Sequence, residues 1–205
     1  GRADFLDLCR GLCGSHCRVR KKANVDGAPV RPNSAIRRPR TSRYLFGSIE
    51  LKPDGALGEA QALPFTGPES LRGHLAGNEF LEPFLELPSK ENGFDIEGLA
   101  LIGKTAYLGL RGPLIDSYAV VIALMFGGGR TIKGSVTHFL DLGGLAVREL
   151  ARDGDDLLVI AGPVSDAMSP FSLARWRPGT PGTVQKVIPL FDWLPGAEKP
   201  EGMTV

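Results

Sequence analysis

Carboxylates open a phrase that this chain repeats. Asp95-Ile96-Glu97-Gly98-Leu99-Ala100 is answered by Asp141-Leu142-Gly143-Gly144-Leu145-Ala146, and Glu201-Gly202-Met203-Thr204-Val205 begins it again. If these phrases are equivalent strands set around one axis, Asp95, Glu97, Asp141 and Glu201 converge on it. Converging carboxylates repel one another unless something compensates them, and a hard cation such as Ca2+ takes oxygen ligands of this kind. The competing reading gives them backbone N–H donors from a neighbouring strand, or channel water. Arg111, Arg148 and Glu149 belong to the same repeats. An arginine there can clamp the carboxylate or phosphate of a small anionic ligand. It can equally pair with Asp95, Glu97 or Glu149 and lock neighbouring strands together.

Other residues with chemical reach are badly placed for it. Cys9, Cys13 and Cys17 with His16 have the types of a zinc site, but His16 and Cys17 are adjacent and no distant second pair closes a knuckle. Asp153-Gly154-Asp155-Asp156 lacks the ligand spacing of a calcium loop and reads as a hairpin tip. Gly127-Gly128-Gly129-Arg130 is not followed by the Lys-Ser/Thr of a phosphate loop. No Gly-x-Ser-x-Gly elbow is present. His74 and His138 stand apart from any nucleophile, and Trp176 and Trp193 fall where apolar positions recur.

The elements that must position these groups are strands. Tyr44–Leu51 and Leu57–Phe65 flank the turn Lys52-Pro53-Asp54-Gly55. Residues 66–92 are punctuated by Pro and Gly and read as an irregular insertion, with Glu79–Leu87 a short helix or an extended edge. Then come four strands, Glu97–Ile102, Thr105–Arg111, Tyr118–Phe126 and Thr131–Phe139. Four more follow at Gly144–Leu150, Leu157–Ala161, Phe171–Arg177 and Val184–Phe191. Aligning Gly98 with Gly144 gives a repeat of 46 residues and places four extra residues at the Ala151–Asp155 tip. A repeat of about 40–50 residues built from strands is the signature of a propeller blade.

The sequence thus predicts an all-β chain, a partial β-propeller. It holds half a blade over 44–65, full blades over 95–139 and 143–191, and the start of another over 201–205, as a fragment of a larger propeller would. Four strands at each end are expected to leave apolar faces open.

Composition fits: 42% apolar and 23% charged residues are ordinary for a globular protein. The net charge of +1 conceals a split, +8 over residues 1–43 and −7 over 44–205. The basic stretch reads as a disordered leader. No nucleic-acid partner is expected for the body. The longest apolar run, Tyr118–Phe126, is far short of the ~20 residues that span a bilayer.

The string Lys90–Ala100 with Gly109–Pro113, then Leu142–Leu145, Val147–Leu150 and Leu157–Pro163, then Lys199–Met203, resembles the bacterial domain-of-unknown-function 3616 family from about residue 44 onward. Glu149 stands in the acidic place of its block, and the first 43 residues do not match. The resemblance implies a β-propeller-like fold and no particular activity. Function is therefore expected to be that of a ligand-binding or scaffold module. The alternatives are a divalent-cation-dependent phosphoesterase or esterase of phytase-like propeller type and a truncated piece with no function.

Overall fold

The computed structural model describes residues 44–127, 131–165, 170–180, 184–189, 200 and 202–205. The basic leader with its Cys and His16, most of the Gly127–Arg130 turn, Trp193 and Glu201 lie outside the described residues.

The described chain is all-β. Ten strands are β1 (Gly47–Leu51), β2 (Leu57–Ala62), β3 (Asp95–Ile102), β4 (Thr105–Gly112), β5 (Ala119–Phe126), β6 (Ile132–Leu140), β7 (Ala146–Asp153), β8 (Asp156–Gly162), β9 (Ser172–Trp176) and β10 (Val184–Pro189). They form three antiparallel sheets: the pair β1-β2, and two four-stranded meanders, β3-β4-β5-β6 and β7-β8-β9-β10. None closes on itself. Local chemistry explains the hairpins. Gly55, Gly103 and Gly154 take positive φ at their turns, where a side chain would be strained. Asp54 adds its own turn bond, accepting the Ala56 N–H at 2.9 Å. β5 is a nearly unbroken apolar run because both its faces are covered.

One face of the first meander packs against β7, and side chains of β8 and β9 join the same cluster. Ala100, Ala119, Val121 and Leu140 meet Val147, Leu150, Leu157, Val159, Ala174 and Trp176 there. The approach is closest at a cross-strand glycine pair, Gly98 opposite Gly109. A Cβ at Gly98 would lie 2.8 Å from Leu150 Cγ, and one at Gly109 would collide with Val147. Each fully buried aliphatic side chain in this layer contributes about 1.5–3 kcal/mol.

The other face is not open, as the sequence led us to expect. Residues 66–92 cover it. A short helix α1 (Leu71–Leu75), capped by Ser70 whose hydroxyl accepts the Gly73 N–H at 3.0 Å, supplies Leu71 and Leu75. Leu81 and Leu85 follow, and together they bury Leu108, Leu110, Val120, Ile122 and Leu124. Glu79–Leu87 contains only a 3-10 turn at Glu82–Phe84. Asn78 Nδ2 donates to Thr137 Oγ1 at 2.7 Å, and Phe80 meets Phe139 edge-on, so the segment is tied to β6.

The phrases that match in sequence take different places in the two meanders. Both hairpin tips have two residues, Gly103-Lys104 and Gly154-Asp155. No insertion sits at Ala151–Asp155; β7 runs through to Asp153. Gly112 and Gly162, ending β4 and β8, are 50 residues apart. Gly98 lies inside a strand, whereas Gly144 sits in the turn before β7 with φ +79°. The two glycines that look alike in sequence are not structural equivalents.

Candidate functional site

The predicted charged residues meet where β3, β4 and β7 lose strict register. In the β3–β4 ladder Ile96 faces Leu110 and Gly98 faces Gly109, so Glu97 is an extra residue. Asp95 faces Gly112 and Ile96 faces Leu110, so Arg111 is extra on the opposite strand. In the β7–β8 ladder Val147 faces Ala161 and Glu149 faces Ile160, leaving Arg148 extra. A bulge frees one residue from the ladder and re-aims its side chain. Three such residues, one from each strand, turn toward one another.

The cluster is buried. Arg111, Arg148 and Glu149 are 6, 8 and 7% exposed. Arg111 Nη1 is 3.1 Å from Glu97 Oε1 and 3.9 Å from Asp95 Oδ2. Arg148 Nε is 2.5 Å from Glu97 Oε2. Its N–H is not aligned on that oxygen, so this contact is an ion pair without a proper hydrogen bond. The aligned bond of Arg148 goes from Nη1 to Pro163 O at 2.8 Å. Arg111 reaches the adjacent carbonyl, Nε to Val164 O at 2.7 Å. The Arg148 guanidinium also lies over the Phe171 ring, 5.7 Å from its centroid. Glu97 of β3 is therefore gripped by arginines from β4 and β7, and both arginines hold the loop that leaves β8.

Asn92 aims the start of β3. It takes a left-handed conformation, φ 61°. Its side chain donates to Leu114 O at 3.0 Å and accepts the Leu114 N–H at 2.8 Å. That pair clamps the segments flanking β3 and β4 and fixes where Asp95 emerges.

The other expected residues fall differently. Glu149 Oε1 accepts the Leu150 N–H at 2.9 Å. Asp141 is exposed in the β6–β7 connection, where it accepts the Gly143 N–H at 3.0 Å and shapes the turn. Glu201 lies outside the described residues. Among the described residues, no three His, Cys, Asp or Glu side chains gather in a way that could hold a metal ion. Sequence reading missed Asn92, Phe171 and the carbonyls of Pro163 and Val164. A carbonyl carries no signal in residue type. Asn92-Gly93 before a strand was the one visible cue.

The arrangement suits holding rather than reacting. Glu97 and Asp95 offset two buried guanidinium charges, and both guanidiniums have backbone acceptors. Burying such charges is tolerated only when pairing and hydrogen bonds compensate, and breaking one partner is costly. Among the described residues no helix is long and apolar enough to cross a membrane.

Neither the curated proteins nor the solved structures include a match to this chain. One family model does match it, over residues 11–192, and so begins inside the basic stretch that the sequence reading had set apart. With that match spanning most of its length, the chain belongs to the family described as protein of unknown function DUF3616.

Proposed function

We propose that the chain contributes two consecutive blades to a β-propeller-type module whose role is ligand binding or scaffolding, with no chemistry of its own. The observation that carries this reading is the buried contact of Glu97 with Arg148. It joins the first strands of two four-stranded meanders built in the same order. First strands of neighbouring blades approach most closely around a propeller axis, and here β7 lies against β3 and β4. The cluster then acts as an axial joint, and loops at one end of the sheets are left for recognition. Its test is an experimental structure of the protein. The two meanders should be related by a rotation about an axis beside β3 and β7, with any further sheet continuing around it. Edge-to-edge pairing of β6 or β10 with another sheet would overturn the reading.

The same joint sets the terms for the cation-dependent hydrolase. Ca2+ ligation by Asp95 and Glu97 requires both to give up Arg111 and Arg148. Addition of Ca2+ should leave the melting temperature unchanged; a rise that Glu97→Gln abolishes would favour the cation site instead.

A further inference from the structure

On the face of the first meander turned away from β7, one cation is poorly compensated. Arg72 projects from α1 with its side chain 17% exposed. Its guanidinium lies 3.9 Å from the centroid of the Tyr44 ring and 5.3 Å from that of Phe94. Ring faces attract the cation but accept no conventional hydrogen bond. Nη1 is buried and makes no hydrogen bond among the described residues. The nearby carboxylate, Glu86 Oε1, is 3.9 Å away on a side chain 77% exposed, beyond hydrogen-bond distance. Arg148 differs: its Nε also lacks an aligned bond, but Glu97 stands at 2.5 Å. Burial lowers the Arg72 pKa from its ordinary value, against the opposing pull of Tyr44, Glu86 and Asp95. A buried N–H without an acceptor is costly, and an incoming anion removes that cost.

Arg72 also lines an open concavity of about 240 Å³. Tyr44, Phe65 and Leu85 give it apolar walls, and Thr66 and Ser70 contribute hydroxyls. The Ser70 hydroxyl is already engaged, donating to Gly67 O at 2.6 Å and accepting from Gly73 N. The free recognition element is the Arg72 guanidinium, set among rings. We propose that this concavity binds a small flat organic acid, its carboxylate paired with the Arg72 guanidinium and its apolar body against Phe65 and Leu85, with Glu86 as the counter-ion it displaces. The site is built on α1 and does not depend on the blade reading, although Asp95 of the charged cluster is near enough to attract Arg72.

The test is titration of the full chain with benzoate, followed by amide and arginine side-chain NMR. Benzoate should shift the Arg72 Nε–H and the amides of Thr66 and Gly67. Benzamide, the neutral isostere, and acetate, which has no flat body, should each bind at least tenfold more weakly. Arg72→Met should abolish the shifts. Because Arg72→Met removes packing as well, Glu86→Gln provides a variant at an exposed position: it should tighten benzoate about threefold by removing the competing carboxylate. Absence of localised shifts, equal binding of benzamide, or weaker binding in Glu86→Gln would each overturn the proposal.

Discussion

The hairpins β3–β4 and β7–β8 are two versions of one object. Each has a two-residue tip with glycine at positive φ, each ends in Gly-Pro, and each carries a bulge on its first strand. They differ in what the bulge presents: Glu97 in one and Arg148 in the other. Equivalent positions would repel if they carried the same sign. Opposite signs turn the bulge in each ladder into an ion pair between sheets. The two hairpins share a backbone device and differ in charge, a difference that can be probed by removing either side.

Glu97 should give the largest effect. Glu97→Met removes the carboxylate that faces both buried arginines, and truncating one partner of a buried ion pair costs about 3–5 kcal/mol. Arg148→Met should cost less, because Arg111 still faces Glu97. The double variant should recover part of the loss, since apolar side chains of similar volume replace buried pairs at little cost. Chemical denaturation of the two singles and the double completes the cycle. Strict additivity would mean that Glu97 and Arg148 are not coupled, and the joint would be lost as an explanation.

Much of this was legible beforehand, and for physical reasons. Alternating apolar residues between glycine turns revealed the eight strands of the two meanders, and Asp95, Glu97, Arg111 and Arg148 were among the residues singled out, in a set that also held Asp141, Glu149 and Glu201. The bulges were not legible, because an extra residue in a strand leaves no local pattern. That blindness also misaligned the repeat. Gly98 is a glycine because Leu150 packs where its side chain would be, and Gly144 because its φ is +79°. Sequence shows the same letter for both. The cover over 66–92 was hidden by its own punctuation: Gly73 interrupts α1, yet a Cβ there would collide with Gly67 O and Pro68 O.

Substitution at those glycines sharpens the comparison at the next scale. Gly109→Ala drives a methyl into Val147 and should cost about 1–3 kcal/mol by overpacking. Val147→Ala in the same chain should relieve part of it. Gly144→Ala meets nothing within 4 Å and should cost only the backbone strain of positive φ, about 1 kcal/mol, with no rescue from Val147→Ala. If Val147→Ala rescues both, the two glycines share a role after all and the shorter register stands.

The layer between the meanders has a charged end and an aromatic one. There His138 of β6 meets Trp176 edge-on at 5.0 Å between ring centroids, with Tyr107 of β4 at 6.4 Å. Burial lowers the His138 pKa below its usual 6.5, and burial raises that of Tyr107, which stays neutral. As pH falls through 6.5 the unfolded chain takes up a proton that the folded chain resists. Stability contributed by neutral His138 is therefore full above that pH and declines below it, until the folded group also protonates. Melting temperatures between pH 7.5 and 5 should drop accordingly. His138→Gln should flatten that limb, whereas Glu97→Met should lower the whole curve without removing it.

The hairpin tips should yield the smallest effect. The first tip closes on Ile102 and Thr105, the second on Asp153 and Asp156. These aspartates hold the arginines of β9 and its end: Arg175 is 2.5 Å from Asp153 and 3.2 Å from Asp156, and Arg177 is 2.5 Å from Asp156. Hydrogen bonding from Arg177 leads the forces that lower the Asp156 pKa from 3.8. The stability this supplies is present above that value and lost as pH falls below it, well away from the His138 limb. Because this network is open to solvent, salt screens it. Asp156→Asn should lower the melting temperature slightly at low ionic strength and not at all in 1 M NaCl, whereas the loss from Glu97→Met should survive high salt. A salt-resistant loss at Asp156 would show that the second tip carries a packing role the first lacks.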